Sequence, residues 1–379
     1  MTMLSFGYDD TQLLNWVANG ATNNDPESFL LLEPYDDNNY KITTNTGNQQ
    51  RSLLVEINDE ETDNYYAAIR AKAVQSVASK VDDESNLSIT ITEDKVSLAS
   101  GATTMSLTNH YDNVMSINKN HKTDIIVSVD AYDVIDSTSR ATSAAGKGVI
   151  TFSNKDNDFT ITSGSENIRT QELFPANAND DFELILPAEH LKNIKPLGKI
   201  EVLDTITFKK GTGLINLVIS ISPEEGYCAV SEIEYTIPTH IGSTGLIDNP
   251  CDEDVITNCK IGKKELTSSI KYISGAVKGE SEITLEAEKG NNFITVKVSD
   301  DDGSAKTTII DADIDNSFKI TTTSSLLLKG VKTVTGKEVI LGSIETENNN
   351  WLAVMPVFKE DADNDSQNSD IIIALTVLT

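Results

Sequence analysis

The sequence predicts an α+β protein built from one small unit repeated six times. The unit is strand, helix, strand, strand, strand, with helices on one side and antiparallel sheets on the other. Three observations predict it. Residues 318–379 display the unit most clearly: FKI (318–320), the helically periodic SSLLLKGVKTVTGK (324–337), then the runs EVILGSIE (338–345), NWLAVMPVF (350–358) and DIIIALTVL (370–378). The same order recurs upstream, with helical windows opening near residues 11, 67, 131, 187, 262 and 324. A fixed order at a near-fixed interval is the mark of repeated architecture. Lastly, the basic residues collect in those windows.

The elements follow in order. A strand at 3–9 leads into TQLLNWVANGA (11–21), where Leu13, Leu14, Trp16 and Val17 have helical spacing. Asp10 is the expected N-cap and Gly20 the expected stop. Strands at 29–34, 40–44 and 52–57 close the first unit. The second has a strand at 65–69, a helix at 69–81 and strands at 87–92, 95–99 and 104–108. A polar joint (109–122) precedes the third: strand 125–130, helix 131–146, strands 148–153, 159–163 and 168–173. In the fourth, Pro187 suits a first helical position and Pro196 cuts the helix short. Its strands are 182–186, 201–209, 213–221 and 227–237. A breaker-rich joint (238–258) follows. The fifth unit runs from Cys259, with a helix at 263–277 and strands at 282–287, 292–299 and 305–311. Paired units suggest three domains, 1–117, 118–245 and 246–379, each pair sharing a core because one helix buries only one face.

Chemistry-bearing patterns are absent. His110, His121, His190 and His240 lie scattered, and there is no HExxH, GxxxxGK[ST] or GxGxxG motif. Cys228, Cys251 and Cys259 form neither a disulfide framework nor a zinc site. The acidic runs at 82–86, 300–303 and 361–370 lack the ordered spacing of a calcium loop and read as turns. No metal and no cofactor is expected, and no enzymatic activity. No apolar run approaches the roughly 18 residues of a membrane span, and the first residues do not form a signal peptide. A reducing, cytoplasmic setting is expected.

The net charge of −29 argues at first against nucleic acid, whose phosphates reward Lys and Arg. Its distribution reverses that. The windows 11–21, 67–80, 131–147, 187–199, 260–278 and 324–337 hold 16 of the 30 bases and four of the 59 acids, a balance of +12 that leaves −41 elsewhere. Lys and Arg are good helix formers, but so is Glu, and Glu is nearly missing. With one helix face on a sheet, the bases must lie on the other. A basic stripe is the electrostatic footprint of a nucleic-acid protein. The first window has no base.

This pattern resembles the DNA polymerase sliding clamps, the family of the bacterial β clamp and the proliferating cell nuclear antigen. The resemblance spans the whole chain and rests on element order, spacing and charge. IALTVLT (373–379) takes the place of the family's C-terminal strand without its Met-Pro pair; VMPVF (354–358) has the pair one strand early. ITSGSENIRTQEL (161–173) sits where the bacterial clamp has part of its partner pocket, without the typical residues. The departures imply a divergent member, cellular or viral.

The resemblance implies a ring-shaped homodimer around duplex DNA, contacted without sequence preference, and a tether for polymerase and clamp loader through short peptides. The residues expected to face DNA are Arg70, Lys72, Lys80, Arg140, Lys147, Lys192, Lys195, Lys199, Lys264, Lys271, Lys278, Lys329 and Lys332. The expected partner-peptide pocket comprises Ile168, Leu173, Pro238, Ile241, Ala374, Leu375 and Val377. The expected setting is the replisome or nucleoid, or the host cytoplasm for a viral protein. An acidic, β-rich viral structural or adhesion protein is the alternative; it leaves the split of charge between helices and strands unexplained.

Overall fold

A computed structural model of the chain describes residues 1–22, 28–45, 49–57, 65–82, 85–113, 122–155, 158–178, 180–222, 229–239, 249–275, 281–299, 305–346, 349–357 and 370–377. Cys228, His121, His240, Ile241, Lys278, residues 300–303 and residues 361–369 lie outside the described residues.

All six units are present. The first is β1 (Thr2–Phe6), α1 (Tyr8–Thr22), β2 (Phe29–Pro34), β3 (Asn39–Asn45) and β4 (Gln50–Glu56). The second is β5 (Ala67–Arg70), α2 (Ala71–Ala78), β6 (Leu87–Ile91), β7 (Lys95–Ser100) and β8 (Thr103–Thr108). The third is β9 (Asp124–Asp130), α3 (Ala131–Ala145), β10 (Val149–Lys155), β11 (Asp158–Ser165) and β12 (Ile168–Pro175), trailed by a two-residue strand, β13 (Asn177–Ala178). The fourth is β14 (Phe182–Pro187), α4 (Ala188–Leu191), β15 (Leu203–Gly211), β16 (Leu214–Ile221) and β17 (Val230–Pro238). Helix α4 is a single turn that ends at Leu191, five residues short of Pro196, the expected stop; Pro196 lies in a separate 3-10 turn at Lys195–Lys199. The fifth is β18 (Ile256–Gly262), α5 (Lys263–Ser274), β19 (Glu282–Ala287), β20 (Phe293–Ser299) and β21 (Ala305–Ile314); the sixth is β22 (Phe318–Thr323), α6 (Ser324–Thr333), β23 (Glu338–Glu345), β24 (Asn350–Pro356) and β25 (Asp370–Thr376).

Further expectations are corrected: α1 runs past Gly20 to Thr22, and Pro187 closes β14, with α4 starting at Ala188. Helix α1 starts at Tyr8, so Asp10 is not its N-cap. Its carboxylate reaches back to accept from Gly7 N at 3.2 Å, one half of a capping box, and also accepts from Ala229 N and Val230 N at 3.1 Å each. Part of the joint at 238–258 is the strand β18, where buried Asn258 donates to Ser343 Oγ at 2.6 Å.

The first strand of each unit pairs in its sister's sheet. The six resulting four-stranded sets are β1-β6-β7-β8, β5-β2-β3-β4, β9-β15-β16-β17, β14-β10-β11-β12, β18-β23-β24-β25 and β22-β19-β20-β21. Some sets then merge edge to edge. The antiparallel ladder β4–β17 makes a nine-stranded sheet; β12–β25 and β18–β21 make one of twelve strands. Merging occupies edges that would otherwise invite foreign strands.

The described chain divides into two compact units: residues 1–139, 176–182 and 190–241, and residues 140–175, 183–189 and 242–379. In the first, α1 buries Leu13, Leu14 and Val17, and α2 buries Ala71, Val74, Val77 and Ala78. In the second, α5 and α6 cover a core of Leu266, Ile270, Ile273, Leu327 and Val331 over strand side chains such as Val296, Val354 and Leu375. Gly330 allows α6 to sit this close: a Cβ there would come 2.9 Å from Leu375 Cδ1. No described helix is long and apolar enough to cross a membrane.

Candidate nucleic-acid interface

In the second compact unit, periodicity dictates where the bases go. Burial of Leu266, Ile270 and Ile273 turns Lys264, Ser268 and Lys271 to the opposite face of α5. On α6, burial of Leu327, Gly330 and Val331 leaves Lys332 exposed and Lys329 half-buried. Because α5 and α6 pack side by side, these faces enclose a groove of about 640 Å3 lined by Lys263, Lys264, Lys271, Lys332 and Lys337, with Thr267, Ser268 and Gly336. Lys263 Nζ donates to the Val334 carbonyl, and burial pulls its pKa down. The remaining lysines present their charge to the groove.

In the first compact unit, Leu191, Ile194 and Leu197 are buried, so Lys192, Lys195 and Lys199 stand exposed along a ridge. A groove of about 610 Å3 separates that ridge from the Asp133 and Asp136 side of α3, and one of about 630 Å3 separates it from α1. Lys72 and Lys80 are exposed on and just after α2.

Other expected contacts are placed differently. Arg70 precedes α2, and its guanidinium lies 4.6 Å from the Phe29 ring centre. Lys147 is exposed in the turn after α3. Arg140 donates from Nε and Nη2 to the two oxygens of Glu172, at 2.8 and 2.6 Å, so its charge is engaged inside the fold. Sequence reasoning missed Lys263, Lys337 and Arg51. The two lysines lay in helical windows, but only the pairing of α5 with α6 brings them into one groove. Arg51 sits on a strand, where no periodic signal marked it.

The expected pocket residues of the second compact unit gather on one ladder: Ile168 faces Leu375, Arg169 faces Ala374 and Leu173 faces Asp370. Ile168 and Leu375 point into the core under the helices. Ala374 points to the other side of the sheet, among Cys251, Ile344, Trp351 and Ala353. Leu173 and Val377 are half-buried. Pro238 belongs to the first compact unit, half-buried at the end of β17 opposite Leu214. Burial pushes the Cys251 and Cys259 thiols up to about 12, which leaves both uncharged at neutral pH.

No protein-family model and no curated protein matches the sequence. Solved structures do match. A DNA polymerase III β subunit from Thermotoga maritima is 12% identical at a TM-score of 0.73, with both chains fully covered. The β subunit from DNA polymerase of Streptococcus pyogenes is 14% identical at 0.73, over 99% of each chain. A DNA polymerase sliding clamp from Pseudomonas aeruginosa is 12% identical at 0.72, again over both full lengths. Hardly any sequence identity survives in this likeness, but the order and placement of the elements do, so that from end to end the chain carries the DNA sliding-clamp fold.

Proposed function

We propose that the protein is a DNA sliding clamp: it encircles duplex DNA and tethers a replicative polymerase to it. The observation that carries the reading is the grouping of exposed lysines on the helices of a chain whose net charge is −29. Such lysines meet phosphates without reading bases, as sliding requires. A clamp needs no catalytic group, because a closed ring holds its polymerase at high effective concentration by topology alone. The exchange of first strands within each pair of units supports a reading of three domains, 1–117, 118–245 and 246–379.

The same topology supports a ring of two chains. The last strand of unit one pairs with that of unit four, β4 with β17, and the last strand of unit three with that of unit six, β12 with β25. This leaves β8 and β21. β8 pairs only with β7 among the described residues, and residues 305–311 of β21 pair only with β20. Continuing the pattern, β8 of one copy meets β21 of the other, head to tail. The partner peptide of polymerase or loader then docks beside the β12–β25 ladder, at Leu173 and Val377. The protein works in the cytoplasm on replicating DNA. The structural or adhesion reading gains no support from a full-length clamp fold.

The test is retention on nicked circular DNA after loading. At a salt concentration that abolishes binding to short duplexes, the protein stays on circles and leaves once a restriction enzyme linearises them. Equal release from both forms sinks the ring.

A further inference from the structure

Helix α1 has no Lys or Arg, yet it forms one wall of the 630 Å3 groove whose other wall carries Lys192 and Lys199. Its contribution is a row of amides: Gln12, Asn15 and Asn19 stand at helical spacing along the groove. These amides are aligned. Gln75 Nε2 donates to Asn19 Oδ1, and Asn19 Nδ2 donates to Asn15 Oδ1 at 3.4 Å. Both oxygens are occupied from inside, so the chain ends on the Asn15 amide nitrogen, a donor without an acceptor among the described residues. Gln12 likewise has no hydrogen-bond partner among them.

Beside this row lies Arg51, 6% exposed. Its Nη1 donates to the Trp16 carbonyl at 2.8 Å, and its guanidinium sits 4.6 Å from the Trp16 ring centre and 5.5 Å from that of Tyr235. No carboxylate pairs with it among the described residues. A Cβ on Gly20 would fall 2.6 Å from Arg51 Nε, so the guanidinium lies against the Asn19 end of α1. Asp9, the acid of this groove, is ten residues earlier, about 15 Å along the helix. A buried guanidinium held by the Trp16 carbonyl and the Tyr235 side chain, with no carboxylate partner among the described residues and amide donors beside it, favours an anion.

We propose that the Asn15–Asn19–Arg51 end of this groove is a phosphate site, through which the first repeat contacts the DNA backbone by neutral amide donors rather than exposed lysines. The anion preference rests on the groove alone; the assignment of the phosphate to duplex DNA rests on the clamp reading. A neutral donor displaces no counterion, so the amide share of this contact adds affinity without adding to the salt dependence of binding.

The experiment uses the full chain, a short fluorescent linear duplex and a series of NaCl concentrations. Asn15→Leu weakens binding by about twofold to tenfold, as expected for one neutral hydrogen bond. The slope of log affinity on log salt stays that of the parent. Lys199→Ala, the comparator, reduces the slope by about 0.9, the value of one phosphate contact. Unchanged affinity in the amide variant overturns the proposal, and so does a slope that falls as it does for Lys199→Ala. Sodium phosphate, added at constant ionic strength, separates the sources of the anion. If it diminishes the amide-dependent component of duplex affinity, free phosphate and the DNA backbone compete for one site and the DNA assignment stands; if it binds, read by the fluorescence of Trp16, yet leaves that component untouched, the DNA assignment is overturned. Retention on circles is measured in parallel. Its failure in the parent protein, with the amide effect intact on linear duplex, removes the ring and leaves the phosphate site standing.

Discussion

Arg140 and Glu172 form a two-pronged ion pair in which the arginine side chain is 12% exposed and the glutamate 2%. Removing one partner of such a pair leaves the other buried and uncompensated, which costs about 3–5 kcal/mol. Arg140→Met therefore lowers the thermal unfolding midpoint by several degrees while DNA affinity stays within about twofold of the parent. A loss of DNA binding in a variant of unchanged stability would instead place Arg140 on the DNA. Helical spacing is enough to put a base on the outer face of α5, where Lys264 and Lys271 are indeed exposed. It cannot reveal that a strand thirty-two residues later presents a buried acid to Arg140. The same blindness hid Arg51, whose neighbours Trp16 and Tyr235 are distant in sequence. Ile168 and Leu375, expected in a pocket, are apolar strand residues whose facing side depends on register, and a single sequence does not display register.

Strands and helices were legible wherever a period ran unbroken. β2 and β23 have the bounds read from the sequence. β18 was read partly as a joint because Asn258, a polar residue, faces inward and is satisfied by Ser343. The exchange of first strands and the merging of sheets left no trace in the sequence, since both depend on pairings between distant segments. That topology makes a sharp claim about the two remaining edges. Ile309, on the free part of β21, is 62% exposed, an apolar side chain on an unpaired strand edge where natural edges carry charge. If β21 meets β8 of a second copy, Ile309→Lys gives a monomer by light scattering, with its unfolding midpoint unchanged when compared at equal monomer concentration. A variant that remains a dimer moves the interface to other strands.

For the whole molecule, charge was the most legible property, because a sum over windows needs no knowledge of contacts. Helical windows at +12 in a chain of −29 implied a basic face, and the α5–α6 groove with its five lysines is where that face is densest. On the proposed clamp function, the negative remainder repels DNA at long range, so contact is expected to depend on these few lysines and to be weak and salt-sensitive. Lys271→Glu with Lys332→Glu puts two acids into the groove. Affinity for linear duplex at low salt then falls by more than about tenfold, and the salt slope falls by about 1.8, two phosphate contacts' worth. The control is the same charge change on strands, Lys95→Glu with Lys319→Glu, two exposed lysines away from any helix. Both double variants have the same net charge, so a general increase in repulsion weakens them equally. If the strand variant loses as much affinity as the groove variant, total charge rather than the helical face governs binding. If only the groove variant loses it, the phosphates are held where the helices place their lysines.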